Sequence, residues 1–380
     1  MTKVTGDTFR LGILGGGQLG RMFIQEAANF DVQVHILDEY SNGPAGQLAT
    51  SFTKGDITNY EDVFNFGKSL DLLTVEIENV NIKALFDLEK IGLKVFPQPH
   101  VLSTIKDKGT QKEFYRKHNL PTSEFQFLDE NTPISELEKR IPFVQKLRTG
   151  GYDGRGVQLI KNSDDLLNAF TEPSIAEDLI DFEKELSVIV ARNERGETAV
   201  FPTVECEFND ANLVEYLFSP ADVSEEIEKK AESLAIDVIN AFEMVGILAV
   251  EMFLTKDGDI LVNEVAPRPH NSGHHTIECN ITSQFEQHLR SIVNWPLGST
   301  EIEKQGVMLN VLGASGCVGS TIYAGLDELI KIPGVYPHLY GKSTTKPNRK
   351  MGHITIAANT MEEAKEKAER VKHIMRVISE

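Results

Sequence analysis

The chain has 380 residues, of which 41% are hydrophobic, and a formal net charge of −19. That length accommodates two or three domains of about 150 residues each, with enough apolar side chains for full cores. The acidic field repels nucleic-acid backbone and anionic membrane, and no run of the sequence approaches the roughly 18 apolar residues of a membrane span.

In chain order, Met1 to Arg10 lacks the apolar stretch of a signal peptide. Residues 10–14 read as a strand that runs into Gly15-Gly16-Gly17-Gln18-Leu19-Gly20. A helix follows, with Leu19, Met22, Phe23 and Ala27 on one face. Strands at 32–37, 72–77 and 95–97 complete a β-α-β alternation, so the first hundred residues predict an open parallel sheet. Residues 106–118 read as a helix, with Pro121 beyond its end. Strands then follow at 141–147, 157–160, 174–179, 186–192 and 198–204, an amphipathic helix at 223–245, and strands at 247–254 and 260–265. This middle part reads as α+β. Proline, glycine and serine between Trp295 and Thr300 mark a boundary, and strands at 307–312 and 353–357 precede a helix at 361–375. Cys206, Cys279 and Cys317 are odd in number and not at CxxC spacing, which points to a reducing, cytoplasmic compartment.

Gly15-x-Gly17-x-x-Gly20 between a strand and a helix, with Asp38 about 20 residues on, matches the dinucleotide fingerprint. Its glycines let a phosphate approach a helix N-terminus. The pattern alone is weak, because a tight strand-to-helix turn produces it too. A Walker loop ending in Gly341-Lys342-Ser343 is excluded, since Tyr336 stands where its first glycine belongs.

The most informative stretch runs from Ala249 to Glu264. Asp257-Gly258 between apolar runs signals a hairpin. A two-residue loop there would place Phe253 opposite Val262 and Glu251 opposite Glu264, with both acids on one face. Carboxylates about 5 Å apart repel by roughly 3 kcal/mol at an effective dielectric near 20. A proton, a basic side chain such as Arg268, or a divalent cation must offset that. Magnesium suits carboxylate oxygens shared with substrate phosphates. A longer loop would shift the register, and Asn263 could join the pair only through a bulge.

Lys146 and Arg148 precede Thr149-Gly150-Gly151-Tyr152-Asp153-Gly154-Arg155-Gly156. Four glycines in seven residues make a flap whose amides can turn toward phosphate, although a long hairpin turn is the plainer reading. Residues 174–180 form an apolar strand ending in Glu177 and Asp178, with Glu185 shortly after. An acid at a strand end can accept from a ribose hydroxyl, or simply face solvent.

Taken together, a lysine before a helix, a basic strand with a glycine flap, a strand ending in acids and a late Glu…Asn-Glu hairpin resemble the ATP-grasp superfamily. Closer similarity is to the 5-(carboxyamino)imidazole ribonucleotide synthases, carried by Gly15 to Arg21 (GGGQLGR), Arg148 to Gly156 (RTGGYDGRG), Asn263 to His274 (NEVAPRPHNSGH) and Pro347 to His353 (PNRKMGH). The resemblance implies an α/β plus α+β architecture. Its parts would be a Rossmann-like parallel-sheet domain (1–105), a two-lobed ATP-grasp domain (106–300, flap 149–157) and a small C-terminal β-rich domain (301–380). It implies a ligase of purine biosynthesis. ATP would phosphorylate bicarbonate to carboxyphosphate, and the exocyclic amine of 5-aminoimidazole ribonucleotide would be carboxylated, with release of ADP and phosphate.

Residue by residue, the resemblance assigns ATP to Lys108, Lys146, the flap Gly151, Tyr152, Asp153, Gly154, Arg155, Gly156 and Val157, the run Glu177, Asp178, Leu179 and Ile180, and Glu185, Asn263 and Glu264. Glu251 and Glu264, with Asn263 beside them, would hold Mg2+. Arg268, His270 and Asn271 would act on bicarbonate or carboxyphosphate. Gln18, Leu19, Glu76, Lys342, Arg349 and Lys350, together with Tyr152, Asp153 and Arg155, would bind the ribonucleotide. A homodimer is implied. Phe208 stands where the family often has a nucleotide-contacting histidine. The HxxxHH spacing of His270, His274 and His275 suggests zinc only superficially, because Pro267, Pro269 and Gly273 preclude a helix that would align them. A formate- or glycine-using ATP-grasp ligase, an NAD-dependent dehydrogenase and a non-catalytic nucleotide sensor are the other readings.

Overall fold

The computed structural model describes residues 4–130, 132–151, 156–208 and 214–380, the side chain of Ile134 apart. The N-terminal part is a five-stranded sheet in the order Ser51–Lys54, Val32–Asp38, Gly6–Leu14, Leu72–Val75, Lys94–Val95, every pair parallel. Parallel pairing needs crossovers, and helices Gln18–Asn29, Tyr60–Gly67 and Ile82–Lys90 supply them. The last two helices and the strand Ser51–Lys54 go beyond the sequence reading. That strand is a short polar edge, exposed at three of its four positions, so it lacks the apolar pattern of a buried strand. The strand order reverses between Gly6–Leu14 and Leu72–Val75. The crevice beyond their carboxyl ends is where open α/β sheets hold ligands. The glycine loop and Glu76 lie there.

The helix expected at 106–118 is Lys108–Lys117, and a further helix that the sequence did not suggest, Pro99–Ile105, precedes it. Asp107 divides them as an N-cap, its carboxylate accepting from Gly109 N at 2.9 Å and Thr110 N at 3.1 Å. A four-stranded antiparallel sheet follows, in the order Phe125–Leu128, Ser174–Asp178, Phe143–Leu147, Val157–Ile160. The strand expected at 198–204 is two, Thr198–Val200 and Val204–Phe208, because Pro202 has no amide to donate.

A nine-stranded sheet makes up most of the rest. Its main path runs Ile260–Ala266, Gly246–Thr255, Phe182–Arg192, Val204–Phe208, Val214–Ser219, Gln305–Leu312, Lys350–Ala358, Val335–Leu339. Helix Glu225–Ala241 packs Ala231, Leu234, Ala235, Val238 and Ile239 onto it, against residues such as Val188, Val190, Leu248 and Val250. Helix Met361–Ile374 covers the far end with Ala364, Ala368 and Val371. The sheet takes strands from both sides of the expected boundary at 300, since Gln305–Leu312 pairs with Val214–Ser219. The three cysteines are free. Among the described residues no helix is long and apolar enough to cross a membrane.

Candidate active site

The late hairpin differs from expectation in its turn and agrees with it at the acids. Thr255 N donates to Asp259 O at 2.9 Å and Gly258 N to Thr255 O at 3.0 Å, so the loop has three residues, with Gly258 at φ +82°. This shifts the register by one, and Phe253 faces Leu261 rather than Val262. A bulge then leaves Asn263 as an extra residue between the pairs Met252/Val262 and Glu251/Glu264. Glu251 and Glu264 are thus direct partners on one face. The bulge also brings Asn263 to the same site, where its Oδ1 accepts from Lys146 Nζ at 2.9 Å.

Two lysines from different elements meet this ribbon. Lys108, at the start of helix Lys108–Lys117, donates to Glu264 Oε1. Lys146, on strand Phe143–Leu147, lies 3.1 Å from Glu177 Oε1. Burial pushes the Glu264 carboxyl up, but Lys108 and Lys146 outweigh it and hold the group below its ordinary value. Among the described residues Glu251 has no lysine partner of this kind. Burial, then repulsion from Glu264 and Glu185, raise it to about 7. Glu185 is raised to about 7 by burial as well. Side-chain exposures of 43% for Glu264 and 33% for Glu251 leave both carboxylates open to a ligand. One acid neutralised by lysine beside one that lacks a cation is a donor set suited to a divalent ion (facing carboxylate oxygens beside an amide oxygen). Such an ion would bring Lewis-acid charge to bound phosphate oxygens.

Glu177 does not sit at the tip of its strand facing solvent. It is 3% exposed and accepts from Ser123 Oγ at 2.6 Å. Lys112 Nζ lies 2.9 Å from its Oε2 and also donates to Thr122 Oγ1 at 2.7 Å and Ser123 Oγ at 2.8 Å. Lys112, which the sequence reading missed, lies one turn beyond Lys108 on the same helix. That i, i+4 spacing was the available signal. Asp178 pairs with Arg140 at 2.7 Å, and Leu179 is half-exposed beside it. Arg148 lies past its strand and holds Asp107 through Nε at 3.0 Å and Nη2 at 2.6 Å. Gly151, Gly156 and Val157 flank the flap, with Val157 paired to Lys146. Tyr152, Asp153, Gly154 and Arg155 lie outside the described residues.

Residues 268–273 form a loop against the ribbon. His270 Nε2 is 3.5 Å from Glu251 Oε1. Its Nδ1 accepts from Ser272 N at 3.3 Å, which leaves the ring proton on Nε2, facing the acid. Burial, then Arg268 and Lys350, push His270 well below the usual histidine value, so the ring is neutral. Arg268 Nε lies 2.9 Å from Glu78 Oε1. Among the described residues Asn271 Nδ2 is buried with no partner, a donor available to a substrate oxygen. Gln284 clamps the loop. Its Oε1 accepts from His270 N at 2.8 Å, and its Nε2 donates to His270 O at 2.8 Å and reaches His274 Nδ1 at 3.0 Å. Neither Glu78 nor Gln284 carried a sequence signal. The HxxxHH histidines diverge. His274 stacks on Phe285 and neighbours His353, and among the described residues no three His, Cys, Asp or Glu side chains converge as a metal site.

A basic group gathers at the seam between the first helix and the C-terminal strands. Lys342 Nζ donates to Lys350 O at 2.7 Å, and Arg349 Nη1 to Thr344 O at 2.6 Å. Arg21 approaches Gly341, and both Arg21 and Arg349 act on the Tyr323 phenol, whose value burial raises. Gln18 and Leu19 form the first turn of helix Gln18–Asn29, beside Glu76. Phe208 ends strand Val204–Phe208 at 38% exposure.

Three family models divide the chain. The ribonucleotide synthetase preATP-grasp domain matches residues 8–106, the ATP-grasp domain 113–285, and the phosphoribosylaminoimidazole carboxylase C-terminal domain 306–367. The chain is 36% identical to N5-carboxyaminoimidazole ribonucleotide synthase of Bacillus subtilis, over 91% of this chain and 90% of that one. It superposes on N5-carboxyaminoimidazole ribonucleotide synthetase of Thermotoga maritima with a TM-score of 0.91 at 43% identity, covering 98% and 100% of the two chains. The Aspergillus clavatus enzyme, solved with ADP and 5-aminoimidazole ribonucleotide, gives a TM-score of 0.88 at 36% identity, covering 96% and 98%. The chain spans about two thirds of the length of the phosphoribosylaminoimidazole carboxylases it matches. On these grounds the chain belongs to the N5-carboxyaminoimidazole ribonucleotide synthase family of ATP-grasp ligases.

Proposed function

We propose that the chain carboxylates the exocyclic amine of 5-aminoimidazole ribonucleotide with bicarbonate, through carboxyphosphate, as ATP goes to ADP and phosphate. The observation that carries this reading is the Glu251/Glu264 pair with its two lysines, set directly against the loop of Arg268, His270 and Asn271. Magnesium held by Glu251 and Glu264 would spread charge over the transferring phosphoryl group. Lys108 and Lys146 reach the same point with fixed positive charge, which favours an anionic transition state without reorganisation. Arg268 and the Asn271 amide, unpartnered among the described residues, supply donors for a bicarbonate oxygen. Neutral His270 holds its Nε2 proton toward Glu251, where it can serve as a donor. Arg21, Lys342, Arg349 and Lys350 form a cationic seat for the ribonucleotide phosphate, against the acidic field of the whole chain.

The flap residues Tyr152, Asp153 and Arg155 close over the imidazole in this reading, and Gln18, Leu19 and Glu76 border the ribose. A cytoplasmic homodimer accords with the family resemblance and the free cysteines. The test is ADP release with each substrate omitted in turn. Release must require both bicarbonate and aminoimidazole ribonucleotide. Equal turnover with formate or an amino acid in place of bicarbonate would assign the chain to another ATP-grasp chemistry.

A further inference from the structure

The glycine loop has the sequence of a dinucleotide receptor, and the chain's own side chains fill it. In a dinucleotide site the amides at the start of the helix receive pyrophosphate. Here Gly17 N donates to Glu76 Oε1 and Gly20 N donates to Glu76 Oε2 at 2.6 Å. Gly16 N donates to Asp38 Oδ2 at 2.7 Å, and Tyr40 N to Asp38 Oδ1 at 2.9 Å. The acid that would meet a ribose is thus turned into the loop as well.

The three spaced glycines share one cause. A Cβ on Gly15 would stand 2.6 Å from Glu76 Cγ, one on Gly17 2.6 Å from Glu76 Oε1, and one on Gly20 3.1 Å from Glu76 Oε2. The spacing G-x-G-x-x-G is therefore what the close approach of a carboxylate from the next strand demands. No bound phosphate is needed to account for it. Neighbouring Glu78 points to Arg268 instead, so the segment after strand Leu72–Val75 sends one acid to the loop and one to the arginine.

We propose that Glu76 is the resident anion of the glycine loop. It is a specificity-determining residue that closes the fingerprint to nucleotide pyrophosphate and leaves nucleotide to the lobes around Lys108 and Lys146. A free anion must displace a tethered one that already holds the same amides, and tethering gives the resident group a high effective concentration. The inference rests on the loop geometry and, for where nucleotide binds instead, on the proposed ATP site; it does not depend on the carboxylation step.

The test compares wild type with Glu76→Ala, which removes the carboxylate and keeps all three glycines. Tm is measured in sodium formate and in sodium chloride at matched ionic strength, and NADH binding by its fluorescence, with circular dichroism as the check on folding. Formate, a free carboxylate small enough for the vacated position, should raise the Tm of the variant saturably and leave wild type at its chloride value. NADH should bind the variant about tenfold more tightly than wild type, the scale of one charge-assisted hydrogen bond. Wild type and variant responding alike to both probes overturns the proposal, as does NADH binding to wild type as tightly as ATP. If Glu76→Ala does not fold, Glu76→Gln replaces it. That variant keeps the shape and one acceptor but removes the charge, so formate has no vacated position and NADH binding becomes the readout: tighter binding than wild type supports the proposal, and equal binding overturns it.

Discussion

Replacing Glu177 by Gln should be far more costly than its conservative shape suggests. Glu177 lies between Lys112 and Lys146, and both lysines favour its carboxylate, while the burial of the Lys112 ammonium works against the pair. Burial would raise the Glu177 carboxyl, but Lys146, Lys112 and the Ser123 hydroxyl bring it down to about 2 from 4.5. Burial pushes Lys112 down to about 8 from 10.5, against the pull of Glu177. Each unit is worth about 1.4 kcal/mol, so the acid contributes roughly 3 kcal/mol at neutral pH and the buried ammonium costs about as much. The intact pair is close to neutral overall, as is common for buried ion pairs. Gln removes the favourable half. Lys112 then loses its main support and deprotonates at neutral pH, which adds about 1.4 kcal/mol. The total is about 5 kcal/mol, which for a cooperative unit of about 150–250 residues is roughly 10–20 °C in Tm.

The pH dependence identifies the cause. A lysine with a depressed folded value binds more protons unfolded, so its penalty shrinks as pH rises. In the variant that relief begins below pH 7, whereas in wild type it begins near 8. The Tm gap should therefore narrow between about pH 7 and 8, by the equivalent of about 1 kcal/mol. Differential scanning calorimetry without nucleotide measures both quantities. A gap under about 4 °C at pH 7, or one that does not change with pH, refutes the account.

Glu264→Gln should lower ADP release by about 100- to 1,000-fold with the fold intact by circular dichroism; unchanged turnover would remove the metal argument. Arg349→Ala should raise KM for aminoimidazole ribonucleotide about tenfold and leave KM for ATP nearly unchanged, and an equal rise in both would displace the phosphate seat. Glu251 carries a raised folded value of about 7, so without metal it reduces stability as pH climbs from 4.5 to that point. Magnesium must find it ionised, and the apparent magnesium affinity measured by calorimetry should rise about tenfold between pH 6 and 8. In Glu251→Gln that part of the pH dependence should vanish.

The elements with strong periodicity were legible in the sequence: the first helix, the hairpin and helix Glu225–Ala241 show their apolar patterns. The polar edge strand Ser51–Lys54 has no such pattern, and helices Tyr60–Gly67 and Ile82–Lys90 are amphipathic but span only 8 and 9 residues, too few turns for the pattern to stand out. At the hairpin, residue types gave the pairing of the acids, but two departures cancel. The longer turn moves the register one way and the bulge at Asn263 moves it back. No short-range rule fixes this bulge, and the extra residue it admits, Asn263, meets Lys146 from another sheet. Glu78 and Gln284 were hidden for the same reason. Each is defined by a partner far along the chain or by a buried loop, and single-sequence spacing carries no trace of that. Lys112 did carry a signal, its i, i+4 spacing from Lys108, but nothing local shows that its ammonium is buried against Glu177.

The nine-stranded sheet that crosses residue 300 has a practical meaning for anyone dissecting this enzyme. A fragment cut at that point would strip Val214–Ser219 of its neighbour and leave a row of unpaired amides and carbonyls on a bare edge. Such an edge recruits other chains. Truncation there should give precipitate rather than a soluble half, and tags or fusion partners belong well away from the junction.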